Sequence, residues 1–172
     1  TYTGDLGYEI WMEAAAQPYV FDRLMAAGAD FGLRLFGARA LDSLRLEKNF
    51  GAWATEYRPI YDPFEAGMGW CVKLDKGDFV GREAAAAVKA AGPARRLVFF
   101  RVDADMGPGG ADVIGDEPVW HDDEVVGWIT SGGYAHVSAA SVAMGYVRSD
   151  HADLASGYEI EILGVRRPAV RL

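Results

Sequence analysis

The sequence predicts an α+β chain in two unlike parts, and three observations carry that expectation. Apolar residues recur at helical spacing up to about residue 92, an alanine-rich run is stopped by Gly92-Pro93, and short alternating apolar segments separated by turn residues follow. The division is placed between residues 1–92 and 93–172.

The elements follow in order. Tyr2-Thr3-Gly4-Asp5-Leu6-Gly7-Tyr8-Glu9-Ile10-Trp11 reads as a glycine-rich turn running into a strand. On the two-residue period, Leu6, Tyr8 and Ile10 share one side and Gly7, Glu9 and Trp11 the other. Glu9 is then a carboxylate inside an apolar strand. Buried, it needs donors or a ligand; a solvated head on an exposed strand is the plainer alternative. Residues 14–30 predict a helix, with Pro18 near its start, Tyr19, Phe21, Leu24 and Met25 on one face, and Gly28 near its end. A second helix over 38–48 groups Leu41, Leu44 and Arg45, with Asp42, Ser43 and Glu47 elsewhere. An irregular aromatic stretch over 50–62 precedes a strand expected at 67–74 that buries Cys71 as a small hydrophobe. A third helix covers 82–91.

In the second part, strands are expected at 97–102, 117–121, 124–130, 141–147, 158–163 and 168–172. Asp122-Asp123 closes a hairpin, Gly132-Gly133 and Gly157 mark turns, and Gly164 parts the last two strands. Evenly spaced short strands suggest a small barrel or sandwich.

Composition limits the function. A chain of 172 residues, 51% hydrophobic and 24% charged, is ordinary for a globular protein, and no apolar run nears the roughly 20 residues that span a bilayer. A soluble, cytoplasmic protein is expected. A net charge of -8 makes nucleic acid a poor partner, although a small anion can still find a local basic pocket. One cysteine and three scattered histidines argue against disulfides and structural zinc, so no metal site is assigned. The chain opens without Met and inside a turn, and a fragment is expected.

Other constellations are set aside. Gly107-Pro108-Gly109-Gly110 lacks the strand-loop-helix setting of a phosphate cradle and reads as a loop. Asp42 and Glu47 do not share a helix face, and Glu47 is expected to meet a nearby basic side chain. Ser131, His136 and Asp150 match a triad by composition only.

Three segments together go further: the opening Tyr2-to-Ile10 run, Gly37-Ala38-Arg39-Ala40-Leu41-Asp42-Ser43-Leu44-Arg45-Leu46-Glu47-Lys48, and Asp62-Pro63-Phe64-Glu65-Ala66-Gly67-Met68-Gly69-Trp70. In this order they resemble the folate-binding T-protein family of the glycine cleavage system. The run Leu74-Asp75-Lys76-Gly77-Asp78-Phe79-Val80-Gly81-Arg82-Glu83 is similar to the version fused behind flavin modules in dimethylglycine and sarcosine dehydrogenases. Val126-Gly127-Trp128-Ile129-Thr130-Ser131-Gly132-Gly133-Tyr134 resembles the opening hairpin of the family's terminal barrel.

The resemblance implies the second half of a folate-binding α+β domain followed by a small antiparallel β-barrel. The implied chemistry is tetrahydrofolate-dependent one-carbon transfer giving 5,10-methylenetetrahydrofolate. FAD would belong only to an upstream module of a fused parent, and the alternatives are the one-carbon-trapping module of a flavin-linked dehydrogenase or a non-catalytic folate-binding relative. The family's catalytic aspartate lies in a preceding half that this chain lacks, so no catalytic residue is assigned and that half is an expected partner. Glu9 stands where the family's glutamate accepts hydrogen bonds from the pterin, Tyr2 matches the tyrosine of the same turn, and Trp53 matches an aromatic residue able to cover a folate ring, with core packing as its alternative. Leu41 replaces the arginine that in T-proteins holds the folate glutamate tail. Arg39, two residues earlier, faces about 200° away on a helix, so the tail contact is unassigned.

Overall fold

The computed structural model describes residues 2–107 and 109–172. Pro108, within the glycine-rich run expected to be a loop, lies outside the described residues, as does Thr1. Helix α1 (Gln17–Gly28) carries Pro18 in its first turn, where no intrahelical N–H is needed, and is flanked by 3-10 turns at Ala14–Ala16 and Ala29–Phe31. Helix α2 (Ala38–Glu47) ends as Asn49 turns to positive φ and Phe50 N–H returns to the Arg45 carbonyl. Helix α3 (Arg82–Ala91) stops where the Gly92 N–H caps the Val88 carbonyl at φ +79°, ahead of Pro93.

Two expected strands of the first part are absent. Residues 7–13 form no regular element and have no ladder partner among the described residues, and 67–74 fold into local turns around a 3-10 turn at Gly69–Cys71. The alternation was there, but an extended segment becomes a strand only when a neighbour takes its backbone groups. With no sheet to enter, Cys71 is exposed rather than buried.

From Arg95 onward six strands close an antiparallel barrel: β1 (Arg95–Val102), β2 (Pro118–His121), β3 (Glu124–Ala135), β4 (Ala140–Arg148), β5 (Tyr158–Ile162) and β6 (Val165–Arg171), in the order β1-β4-β3-β2-β5-β6. Pairing of Phe100 with Arg171 and of Val102 with Ala169 completes the ring, so no edge remains open. Asp122 and Asp123, both at positive φ, make the β2–β3 hairpin, as expected, and Leu163-Gly164 repeats the device between β5 and β6. Gly132 and Gly133, by contrast, are not a turn. They lie inside β3, where a Cβ on Gly132 would stand 2.9 Å from the Val113 side chain and 3.0 Å from its carbonyl oxygen, so glycine there admits segment 111–114 against the strand. The reversal falls after Ala135 instead.

The barrel interior is filled by Phe100, Val119, Val126, Ile129, Val147, Tyr158 and Ile160, with Phe100 and Tyr158 edge to face at 5.1 Å. A second cluster of Leu46, Ala135, Val142 and Met144 lies under α2. Strand β4 is therefore buried on both faces, which explains its nearly unbroken apolar sequence. Among the described residues no helix is long and apolar enough to cross a membrane.

Phe100→Ala removes a fully buried ring and its partner's edge contact, and should destabilise the chain by about 3–5 kcal/mol in urea unfolding followed by near-UV circular dichroism.

Candidate functional site

The best-built polar constellation lies where α2, the loop after it and the barrel wall meet. Arg45 and Glu56 are both almost wholly buried, and Arg45 Nη1 stands 3.2 Å from Glu56 Oε2. Five donors converge on the carboxylate. Oε2 accepts from the Ala52 N–H at 2.7 Å, the Thr55 hydroxyl at 2.7 Å and Arg45; Oε1 accepts from the Ser131 hydroxyl at 2.6 Å and from Thr130. Arg45 also donates to Ser131 Oγ at 3.0 Å, to the Phe50 carbonyl at 3.2 Å and, through Nε, to Asp42 at 3.2 Å.

Adjacent strand residues normally point to opposite faces, so a regular β3 could not send both Thr130 and Ser131 to Glu56. A register shift supplies the answer. Ile129 pairs with Gly145 and Ser131 with Met144, leaving Thr130 as the extra residue of a bulge that re-aims the side chains. A carboxylate has about four lone-pair sites, and five donors saturate it, so Glu56 has no capacity left to act as a base. Its role here is to hold chain segments together.

The same loop is fastened further along. The Tyr146 hydroxyl donates to the Glu56 carbonyl at 2.7 Å, and Tyr61 stacks on the Tyr146 ring at 3.8 Å. Burial, and then the neighbouring Tyr61, Glu65 and Glu56, push the Tyr146 hydroxyl well above the usual tyrosine range, so it stays a donor. Asp62 caps the turn through the Phe64 and Glu65 N–H groups at 2.7 and 2.9 Å, bringing Glu65 to 3.1 Å from Arg95 Nε on β1.

The residues singled out from sequence sit around this hub rather than in it. Tyr2 is half-buried, and its hydroxyl reaches the Gly51 carbonyl at 3.5 Å, a long contact that places more than it stabilises. Trp53, two residues further on, is 74% exposed, so it is not a core residue of this chain. The structure thus brings Tyr2 and Trp53 to one loop. Glu9 is exposed, with no hydrogen-bond or ion-pair partner among the described residues, on the irregular segment that follows the Tyr2 turn. Arg39 is also exposed, and Leu41 is half-buried.

Other expectations change. Among the described residues Glu47 meets no basic side chain; it accepts from the Val137 N–H at 2.9 Å and the Ser138 hydroxyl at 3.2 Å, because α2 ends against the β3–β4 turn. Ser131 is engaged by Arg45 and Glu56, and Asp150 by His151 and Arg148, which leaves no triad. Reading the sequence missed Glu56 altogether, and gave Thr130 and Ser131 no part in binding a buried carboxylate. The one available signal was Arg45 on the apolar side of a helix, since a buried guanidinium requires a buried acid.

Burial pushes the Glu56 carboxyl upward, but the hydrogen bonds from Ala52, Ser131, Thr130 and Thr55 outweigh it and hold the group below the ordinary glutamate value. A lowered folded value means stability that is present above the unfolded value of about 4.3 and lost as pH falls through the lower folded value. Glu56→Gln should therefore flatten that acid limb of the urea midpoint against pH, and should cost about 3–5 kcal/mol near neutrality by leaving Arg45 without its buried acid.

The family model described as "GCVT N-terminal domain" matches residues 1–76, and that described as "Glycine cleavage T-protein C-terminal barrel domain" matches residues 95–172. Over 170 residues the chain is 38% identical to the mitochondrial dimethylglycine dehydrogenase of Mus musculus, covering 98% of this chain and 19% of that protein. Over 151 residues it is 36% identical to an aminomethyltransferase of Halothermothrix orenii, covering 88% of this chain and 41% of that protein. The chain thus spans less than half the length of either relative. The crystal structure of glycine cleavage system aminomethyltransferase T from Bartonella henselae superposes with a TM-score of 0.78 at 23% identity, covering 91% of this chain and 42% of that one, which shows a shared fold. Matched by both family models on either side of residues 77–94, the chain belongs to the glycine cleavage T-protein family, alongside aminomethyltransferases and dimethylglycine dehydrogenases.

Proposed function

We propose that this chain is the C-terminal part of a folate-dependent one-carbon module, and that in the complete protein it helps hold tetrahydrofolate while a one-carbon unit is transferred to give 5,10-methylenetetrahydrofolate. The carrying observation is the contact of Tyr2 with the Gly51 carbonyl, which places its ring on the loop that presents an uncovered Trp53. Two aromatic rings on one loop suit a flat heterocycle, each worth about 0.5–1.5 kcal/mol beyond the area it covers. Glu9 offers two acceptor oxygens to the adjacent donors of a pterin edge, as the family's glutamate does, and among the described residues its carboxylate has no protein partner to displace. Catalysis in such a module is mostly positioning, and the reacting aspartate is assigned to the preceding half of the domain.

The same proposal gives the exposed apolar side chains of the first segment a use. Leu6, Tyr8, Trp11 and Phe31 are each about nine-tenths exposed, far more apolar surface than a finished domain leaves in water. The preceding half of the folate domain is the proposed cover, within a two-part organisation at 1–92 and 93–172. A cytoplasmic setting belongs to the proposal as well. The second reading, a one-carbon-trapping module behind a flavin-linked dehydrogenase, is favoured by the 38% identity to dimethylglycine dehydrogenase and by Leu41 in place of the tail-binding arginine. An upstream G-x-G-x-x-G fingerprint between a strand and a helix would select it.

Calorimetric titration of 5-formyltetrahydrofolate into the complete protein tests the site: Glu9→Gln should weaken binding by about 10–100-fold, the loss of a charge-assisted pair of hydrogen bonds, and unchanged affinity would remove Glu9 from the assignment. The 172 residues expressed alone should bind an apolar dye such as anilinonaphthalene sulfonate more strongly than the complete protein, and equal binding would contradict the proposed cover.

A further inference from the structure

We propose that Arg45 and Glu56 are positioning residues for the loop that carries Trp53, and that barrel strand β3 sets the pose of that tryptophan through them. What the loop touches rests on the folate reading; the coupling itself does not.

One buried ion pair grips the loop on both sides of Trp53. Arg45 Nη1 holds the Phe50 carbonyl at 3.2 Å, while Glu56 Oε2 holds the Ala52 N–H and the Thr55 hydroxyl, each at 2.7 Å. Between these tethers Trp53 is 74% exposed, so its direction is set mainly by its backbone. Gly51, inside the same grip, is the residue whose carbonyl receives the Tyr2 hydroxyl. Both rings of the proposed site therefore depend on one buried pair.

The pair is in turn tied to the barrel. Ser131 Oγ accepts from Arg45 at 3.0 Å and donates to Glu56 at 2.6 Å, bridging the two charges, and the bulge at Thr130 delivers a second hydroxyl to the same carboxylate. A neutral amide at position 56 would keep one acceptor oxygen where five donors now converge, so the ionised carboxylate is needed to keep all the tethers. The barrel is thus part of the ligand site without any of its strands having to touch the ligand. It acts on Trp53 from behind.

The test is made in the complete protein labelled with 5-fluorotryptophan, with the Trp53 fluorine resonance identified by its loss in Trp53→Phe. Ser131→Ala, which keeps both charges and should fold, is expected to shift or broaden the Trp53 resonance without ligand while leaving that of Trp120, on β2, in place. It should also weaken 5-formyltetrahydrofolate binding about tenfold, the loss of roughly one hydrogen bond's worth of positioning. Glu56→Gln should do the same more strongly. In a Trp53→Ala background, Ser131→Ala should cost clearly less affinity than in the unaltered protein, because one of the two rings it acts through is gone. An unmoved Trp53 resonance, equal movement of Trp53 and Trp120, or the same affinity loss in both backgrounds would overturn the positioning role. Should the unaltered protein fail to bind 5-formyltetrahydrofolate, the folate reading falls, and the ligand-free resonance still decides the coupling.

Discussion

The buried carboxylate of Glu56 is the constraint around which the two parts of this chain are organised. Taking it out of water without partners would cost several kcal/mol, and that penalty is met only if Arg45, the Ala52 amide and the hydroxyls of Thr55, Thr130 and Ser131 arrive together. Those groups come from a helix, a loop and a barrel strand. Satisfying one carboxylate therefore fixes how α2 sits on β3 and where the following loop runs.

Packing around the hub reinforces the same geometry. Leu46, on the next position of α2, enters the cluster with Ala135, Val142 and Met144, and the Ser43 hydroxyl caps the Tyr134 carbonyl at 2.9 Å. Burial of the apolar side chains stabilises the contact but is tolerant of small rotations; the hydrogen bonds are not. The apolar cluster supplies affinity between the parts, and the polar hub supplies their register.

The outer rim of the first part has the opposite character. Most of its large apolar side chains from Leu6 to Phe36 are exposed, on the opening irregular segment, on a helix that buries none of its residues and on the stretch after it. The contrast between this face and the closed barrel separates the chain into a half that satisfies itself and a half that offers surface.

Helix positions, the β2–β3 hairpin and the strand-rich second part were legible in the sequence because each rests on local chemistry: Pro18 opening a helix, Gly92-Pro93 closing one, Asp122-Asp123 adopting positive φ, alternation along a strand. The family was legible too, in runs of residues whose order is improbable by chance. Tertiary structure alone decided whether an alternating segment finds a ladder partner, which among the described residues 7–13 and 67–74 do not, and whether Gly132-Gly133 turns or continues, because that depends on Val113 lying alongside. It also decided the hub. The bulge that sends Thr130 and Ser131 to one side breaks the period from which strand faces are read, and Glu56 is 74 residues from its nearest barrel donor, so no local pattern links them. Local rules place a side chain on a face; only the folded chain determines what that face meets.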